Sequence, residues 1–227
     1  MTARQRHALA GSLALAFALV TLSAIFIPSH PDTVTMTPEE VAIAFDREGH
    51  LQAAQAYVHA LGATFLLAFV ASLYPILRRA EGGDGALSLA ALASGSAAAA
   101  FLVVPAALSL ALLLNRPLAE PATFQYAYVV SWIVMFFVHF ILPVFLVAVG
   151  LLAVRARALP RAIGYAAFAV AAAELLATAG VLAGPDVAIP LLAVPFMLVL
   201  VWSIAAGAAL LVGSSAPRPE VGAEPAA

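Results

Sequence analysis

Residues 86–114 read ALSLAALASGSAAAAFLVVPAALSLALLL, an unbroken run with no ionisable side chain. A bilayer core about 30 Å thick is crossed by about 20 apolar residues in an α-helix. No water is present there to pair a bare backbone, so only helices and closed barrels span it. A barrel strand needs only about 9–11 residues, and the run is much longer, so it reads as a membrane-spanning helix. Working outward from it, five more such runs complete a set of spans at about 8–27, 53–77, 86–114, 126–154, 160–182 and 187–212. The expected fold is all-α: a polytopic membrane protein built as a six-transmembrane-helix bundle, residues 1–213, with a Pro-, Ala- and Glu-rich disordered tail at 214–227.

Composition agrees with the spans. Of 227 residues, 64% are hydrophobic and 10% charged, against about 45–50% and about 25% in a soluble domain. Such a chain cannot cover itself with polar surface. The net charge of -2 leaves no basic footprint for nucleic acid. Cysteine is absent, which excludes disulfides, iron–sulfur clusters and thiol catalysis. Lysine is absent as well, which excludes a Walker A loop and a Schiff base to retinal or pyridoxal phosphate.

The breaks between spans are turn-forming: Pro28-Ser29-His30-Pro31, Glu81-Gly82-Gly83-Asp84-Gly85, Asn115-Arg116-Pro117 and Gly184-Pro185-Asp186. Six spans put Arg4, Arg6, Arg78, Arg79, Arg155, Arg157, Arg161 and Arg218 on one side and only Arg47 and Arg116 on the other. By the positive-inside rule both termini are expected in the cytoplasm; the arginine-only, alanine-rich usage looks like the product of a GC-rich bacterial genome, so the expected location is a bacterial cytoplasmic membrane. A competing reading takes the first span as a cleaved signal peptide, but its apolar run is long and no small-x-small site closes it before Pro28.

The longest connection, between the first two spans, contains Thr37-Pro38-Glu39-Glu40. Thr37 suits a helix cap, Pro38 the first helical position, and Glu40 can reach back to the cap N–H. Val41, Ala44 and Phe45 then share a face, so a short outer amphipathic helix is expected to lie along the surface and end near Gly49. It would serve as a lid, a gate or a docking helix.

Three stretches taken in order and spacing carry a resemblance: TPEEV at 37–41, LRRAEGGDGALS at 77–88 and RALPRAIG at 157–164. They resemble a group of uncharacterised six-helix membrane proteins of high-GC Gram-positive bacteria. At Ala162, where that group often carries a bulky aromatic, this chain has alanine. The resemblance implies the fold and the membrane location and assigns neither an activity nor a catalytic residue. The arginines of the two basic turns are explained by stop-transfer, helix C-terminal dipoles and anionic headgroups.

Function is sought in ionisable residues inside spans, because burying them in lipid is costly. His59, His139 and Glu174 are the candidates, at about 10, 20 and 13 Å below the outer ends at 1.5 Å per residue. Gln52, Gln55 and His59 share one helical face; Tyr128, Trp132, Met135 and His139 share another; Thr178 lies one turn from Glu174. One outward-opening polar pocket between the second, fourth and fifth spans would use them all. The ligand or proton site expected from the sequence is thus Glu174, His59, His139, Gln55, Tyr128 and Thr178. In the bland alternative each is a hydrogen-bonded packing residue.

No short-spaced metal motif occurs, and the depth offset of His59 and His139 argues against a bis-histidine haem, so no cofactor or metal is expected. No Gly-x-Ser-x-Gly nucleophile motif occurs either. The residues favour a non-enzymatic protein that binds or passes a small or lipophilic ligand, proton-linked through Glu174. The alternatives are a structural or regulatory subunit that packs against a membrane-protein partner, and an intramembrane metal or redox enzyme.

Overall fold

The computed structural model describes residues 1–27, 36–115, 120–183 and 185–215. The expected turn residues 28–35, 116–119 and 184, and the tail beyond Ser215, lie outside the described residues. Every regular element among the described residues is helical: α1 (Ala3–Ser23), α2 (Pro38–Glu81), α3 (Ala86–Asn115), α4 (Pro121–Phe136), α5 (Val138–Arg155), α6 (Arg161–Thr178) and α7 (Pro185–Ser215), with short 3-10 turns at Ala24–Phe26 and Ala179–Ala183. Six of the resulting rods are long and apolar enough to cross a membrane, α4 and α5 together forming one of them. The chain is a multi-pass membrane protein with an all-α fold.

Two boundaries differ from expectation. The capping box at Thr37 forms as expected: the Glu40 N–H donates to the Thr37 hydroxyl (3.3 Å) and the Thr37 N–H to the Glu40 carboxylate (2.8 Å). The helix it starts is not a separate surface element, however. It runs through Gly49 into the second span as one rod of 44 residues, about 66 Å long. Gly49 is not a helix stop but a close approach, since a Cβ there would lie 3.3 Å from Leu113 of α3. No proline or turn residue follows it, and nothing in His50–Ala56 opposes a helix. The rod exceeds a bilayer core of about 30 Å, so its first turns project past the span. There Val41 and Phe45 are covered by Phe124 and Tyr128 of α4, with edge-on ring contacts at 4.6 and 5.1 Å.

The fourth span is the second difference. It breaks at Phe137, where the N–H of Phe137 reaches the Val134 carbonyl and that of Phe140 reaches the Phe137 carbonyl, each at 3.2 Å. These are tight three-residue closures in place of four-residue ones. Pro143 follows and offers no N–H to the His139 carbonyl, so the ladder is weakened on the C-terminal side of the same stretch. Pro105, by contrast, lies inside an uninterrupted α3.

The spans close into a ring. Packing neighbours run α1–α2–α3–α5–α6–α7 and back to α1, while α4 lies against α2 and α3. Phe69 of α2, Phe145 of α5 and Trp202 of α7 bridge the middle through edge-on contacts at 6.4 and 6.0 Å. The Trp202 indole N–H donates to the Ile163 carbonyl of α6 (3.0 Å). Small residues bring the backbones together. A Cβ on Gly11 of α1 would lie 2.7 Å from the Gly207 carbonyl oxygen of α7, and one on Gly207 would lie 2.8 Å from that of Gly11. Gly150 and Gly164 form a second reciprocal pair between α5 and α6, at 3.0 and 2.9 Å. With no solvent-driven force between helices in lipid, such close backbone contact is what associates them.

The connection from α2 to α3 is a locked turn at the arginine-bearing end. Gly82, Gly83 and Gly85 take φ of 66°, 52° and 77°, which L side chains avoid. The Arg78 guanidinium donates to the carbonyls of Gly82 (3.0 Å) and Gly83 (2.9 Å). The Glu81 carboxylate accepts the N–H groups of Leu87 and Ser88, each at 2.8 Å, and so caps α3. Burial would raise the Glu81 carboxyl, but these N–H groups, the Ser88 hydroxyl and nearby Arg78 outweigh it and hold the group below the ordinary carboxylate value.

Candidate functional site

Glu174 is fully buried. It lies on the inward stripe of α6 with Val170, Ala171, Ala177 and Thr178, while Leu175 and Leu176 face outward. Its Oε2 is 2.5 Å from Nδ1 of His139 on α5. Thr178 is not its partner: that hydroxyl donates to the Leu175 carbonyl of its own helix (2.7 Å). The imidazole is enclosed by Phe136 and by Phe196 of α7, with ring centroids at 6.3 and 6.1 Å. The Gly150–Gly164 contact sets the spacing of the two helices that carry the pair.

The geometry limits the charge states. One proton between Oε2 and Nδ1 makes the pair neutral overall, whichever atom holds it. Losing that proton or gaining another leaves a net charge in an apolar surround, where it is costly. Glu174 Oε1 is buried and has no hydrogen-bond partner among the described residues. A lone carbonyl-type oxygen is tolerated better than half of an ionised carboxylate.

The other candidates gather elsewhere. Gln52, Gln55, His59, Tyr128, Ser131, Ser109 and Met135 line a cavity of about 40 Å³ between α2, α3 and α4. Gln52, Gln55, Tyr128 and Ser131 are buried, and His59 is half-buried. The volume has room for roughly three or four waters, at 10–15 Å³ each, and the walls offer amide, imidazole and hydroxyl groups to hold them.

The single pocket expected between the second, fourth and fifth spans is therefore split in two. Glu174, His139 and Thr178 do not line the cavity. The physical reason is the ring: α2 and α6 stand on opposite sides of it, separated by α3 and α5 one way and by α1 and α7 the other. Alanine- and serine-rich α3 fits between α2 and α5; a Cβ at Gly95 would lie 2.6 Å from Val70 and 3.1 Å from Phe145. Glu174 meets His139 and not His59 for this reason. Met135, which lines the cavity, stands four residues before His139, so one stretch of chain links the two places. The side chain of Trp132 is outside the described residues.

Sequence reasoning missed Phe196 and Ser109, which come from helices not suspected of neighbouring the site. Ser131 had a signal, standing three residues after Tyr128 on the same helical face. Among the described residues no group of three histidine or acidic side chains could hold a metal ion. Compared with protein-family models, with curated proteins and with solved structures, the chain matches none.

Proposed function

We propose that the chain is a membrane protein of the bacterial cytoplasmic membrane, both termini cytoplasmic, in which Glu174 and His139 hold and release a proton coupled to the binding or passage of a small or lipophilic ligand. The observation that carries this reading is the fully buried Glu174 carboxyl, 2.5 Å from an imidazole. Its energetics are poor for a mere staple. Left charged, the carboxyl would cost about 2.5–3.5 kcal/mol near the bilayer centre even on the gentler scale; the neutral pair avoids that cost but still buries two polar groups, one with an oxygen that has no hydrogen-bond partner among the described residues. An interhelical hydrogen bond returns about 0.6–2 kcal/mol. Apolar side chains would join α5 and α6 at lower cost, so a further use for the proton accounts for the residues better. The cavity of about 40 Å³ suits a proton route better than a solute route, since its volume admits a few waters and nothing larger.

Proteoliposomes carrying an entrapped pH dye and an imposed potassium diffusion potential test the proposal. Wild-type protein is expected to move protons, and Glu174→Gln to stop them while folded yield is unchanged. Proton movement no greater than in protein-free vesicles, or equal in the variant, would count against the proposal. In that case the pair is a packing element, as expected of a structural or regulatory subunit.

A further inference from the structure

The two basic turns look alike in sequence but differ in what their arginines do. Arg78 spends its guanidinium on the carbonyls of Gly82 and Gly83 and is part of the turn. Arg157 and Arg161, in the turn from α5 to α6, make no hydrogen bond or ion pair among the described residues. They border an open cavity of about 450 Å³ together with His7 of α1, Leu159, and Ala209, Leu210 and Gly213 of α7. That volume lies in the range of about 300–1,000 Å³ usual for small-molecule sites.

The turn and the start of α6 thus bring two guanidinium groups, and α1 an imidazole, to one hollow, and no acidic side chain among the described residues borders it. The His7 Nδ1–H donates to the Ala3 carbonyl (2.8 Å), which leaves Nε2 as its remaining polar atom. The first turn of α6 opens here with no side-chain cap, so its N–H groups add to the positive field. The opposite wall, Ala209 and Leu210, is apolar. A planar guanidinium matches the oxygens of a phosphate in two-point contact.

We propose that this cavity binds a phosphate-bearing anion, the phosphate between Arg157 and Arg161 and the remainder against α7. The chemistry is shared by an anionic phospholipid headgroup, which would arrive from the adjoining leaflet, and by a soluble phosphate monoester.

Native mass spectrometry of the full chain in a non-ionic detergent tests it, with phosphatidylglycerol and phosphatidylcholine as probes. Phosphatidylglycerol is expected to be retained about tenfold more strongly. Two double variants decide whether the cavity is responsible. Arg157 has a φ of 54°, so asparagine, which tolerates that region, replaces it in R157N/R161Q. This variant is expected to lose the preference. R79Q/R155Q removes the same charge from the same end outside the cavity and is expected to keep it. If R157N/R161Q does not fold, R161Q alone gives the same reading, because Arg161 is exposed on the first turn of α6.

Thermal unfolding with glycerol 3-phosphate separates the sources. Arginine-dependent stabilisation by it assigns the site to a soluble ester, and retention of phosphatidylglycerol without such stabilisation assigns it to lipid. Equal retention of the two lipids with no effect of glycerol 3-phosphate overturns the proposal. So does equal loss in the two double variants, which would reduce the effect to general attraction of a basic surface.

Discussion

Gly11→Ala adds one methyl group at the tightest backbone crossing in the ring. The new Cβ would lie 2.7 Å from the Gly207 carbonyl oxygen, 2.9 Å from Leu211 Cγ and 3.2 Å from Leu210 Cβ. Leu211 can turn away, but a backbone carbonyl cannot, so α1 and α7 must part. Overpacking of this kind costs about 1–3 kcal/mol. Alanine's better helix propensity returns up to about 1 kcal/mol. The net expectation is a loss of about 1 kcal/mol. Gly207→Ala meets the Gly11 carbonyl at 2.8 Å and should cost a similar amount. Once one methyl has separated the helices the other is partly accommodated, so the double variant should lose clearly less than the sum of the singles. Gly213→Ala is the control, because none of the described residues lies within 4 Å of its Cβ position. Reversible unfolding of the purified protein in mixed micelles, followed by Trp fluorescence, gives all four values. Gly11→Ala as stable as wild type, or strictly additive losses, would refute the account of the crossing.

Replacing Thr37 with alanine removes the acceptor of the Glu40 N–H; about 1 kcal/mol of local stability should go, read as faster amide exchange at the start of α2. Glu81 is held below the ordinary carboxylate value in the folded protein, so its contribution is complete above that value and is lost as pH falls through the lower folded one. Thermal stability of Glu81→Gln should accordingly be lower at neutral pH and should lack that part of the acid dependence; identical acid profiles would show that the carboxylate does not cap α3. A reporter fused after Ser214 should be active in the cytoplasm and one inserted near Asp32 outside, and the reverse pattern would overturn the orientation read from the arginines.

Distances along a helix were legible in the sequence, and positions around the bundle were not. Rise per residue is constant, so the spans, the face shared by Gln52, Gln55 and His59, and the interior place of Glu174 could be read by counting. The partner of Glu174 depends on which helices are neighbours. That order is decided by contacts between chain-distant small residues, such as Gly11 with Gly207 and Gly95 with Val70 and Phe145, and nothing in linear spacing encodes it. Gly49 misled for a related reason. A glycine that ends a helix and a glycine that admits a neighbour look the same until Leu113 is seen against it. The Thr2 capping box at the start of α1 carries the same kind of sequence signal, with Gln5 three residues on. Arg157 and Arg161 looked like ordinary anchors, because only the approach of α1 and α7 makes a hollow between them.

The closure of the ring between α1 and α7 also bears on how the protein is made. The α1 helix has, as one of its two packing partners, α7, which follows it by about 160 residues in the chain. At about 5–20 residues per second, roughly 8–30 s separate the end of α1 from the start of α7. Throughout that interval the buried face of α1 that carries Ala10, Gly11, Ala14, Phe17 and Ala18 can meet α2 but not the helix that later seals it. A nascent chain stalled before residue 185 would therefore expose a glycine–alanine seam to the lipid, open to any other helix with small residues. The ring is one that only synthesis through α7 can shut.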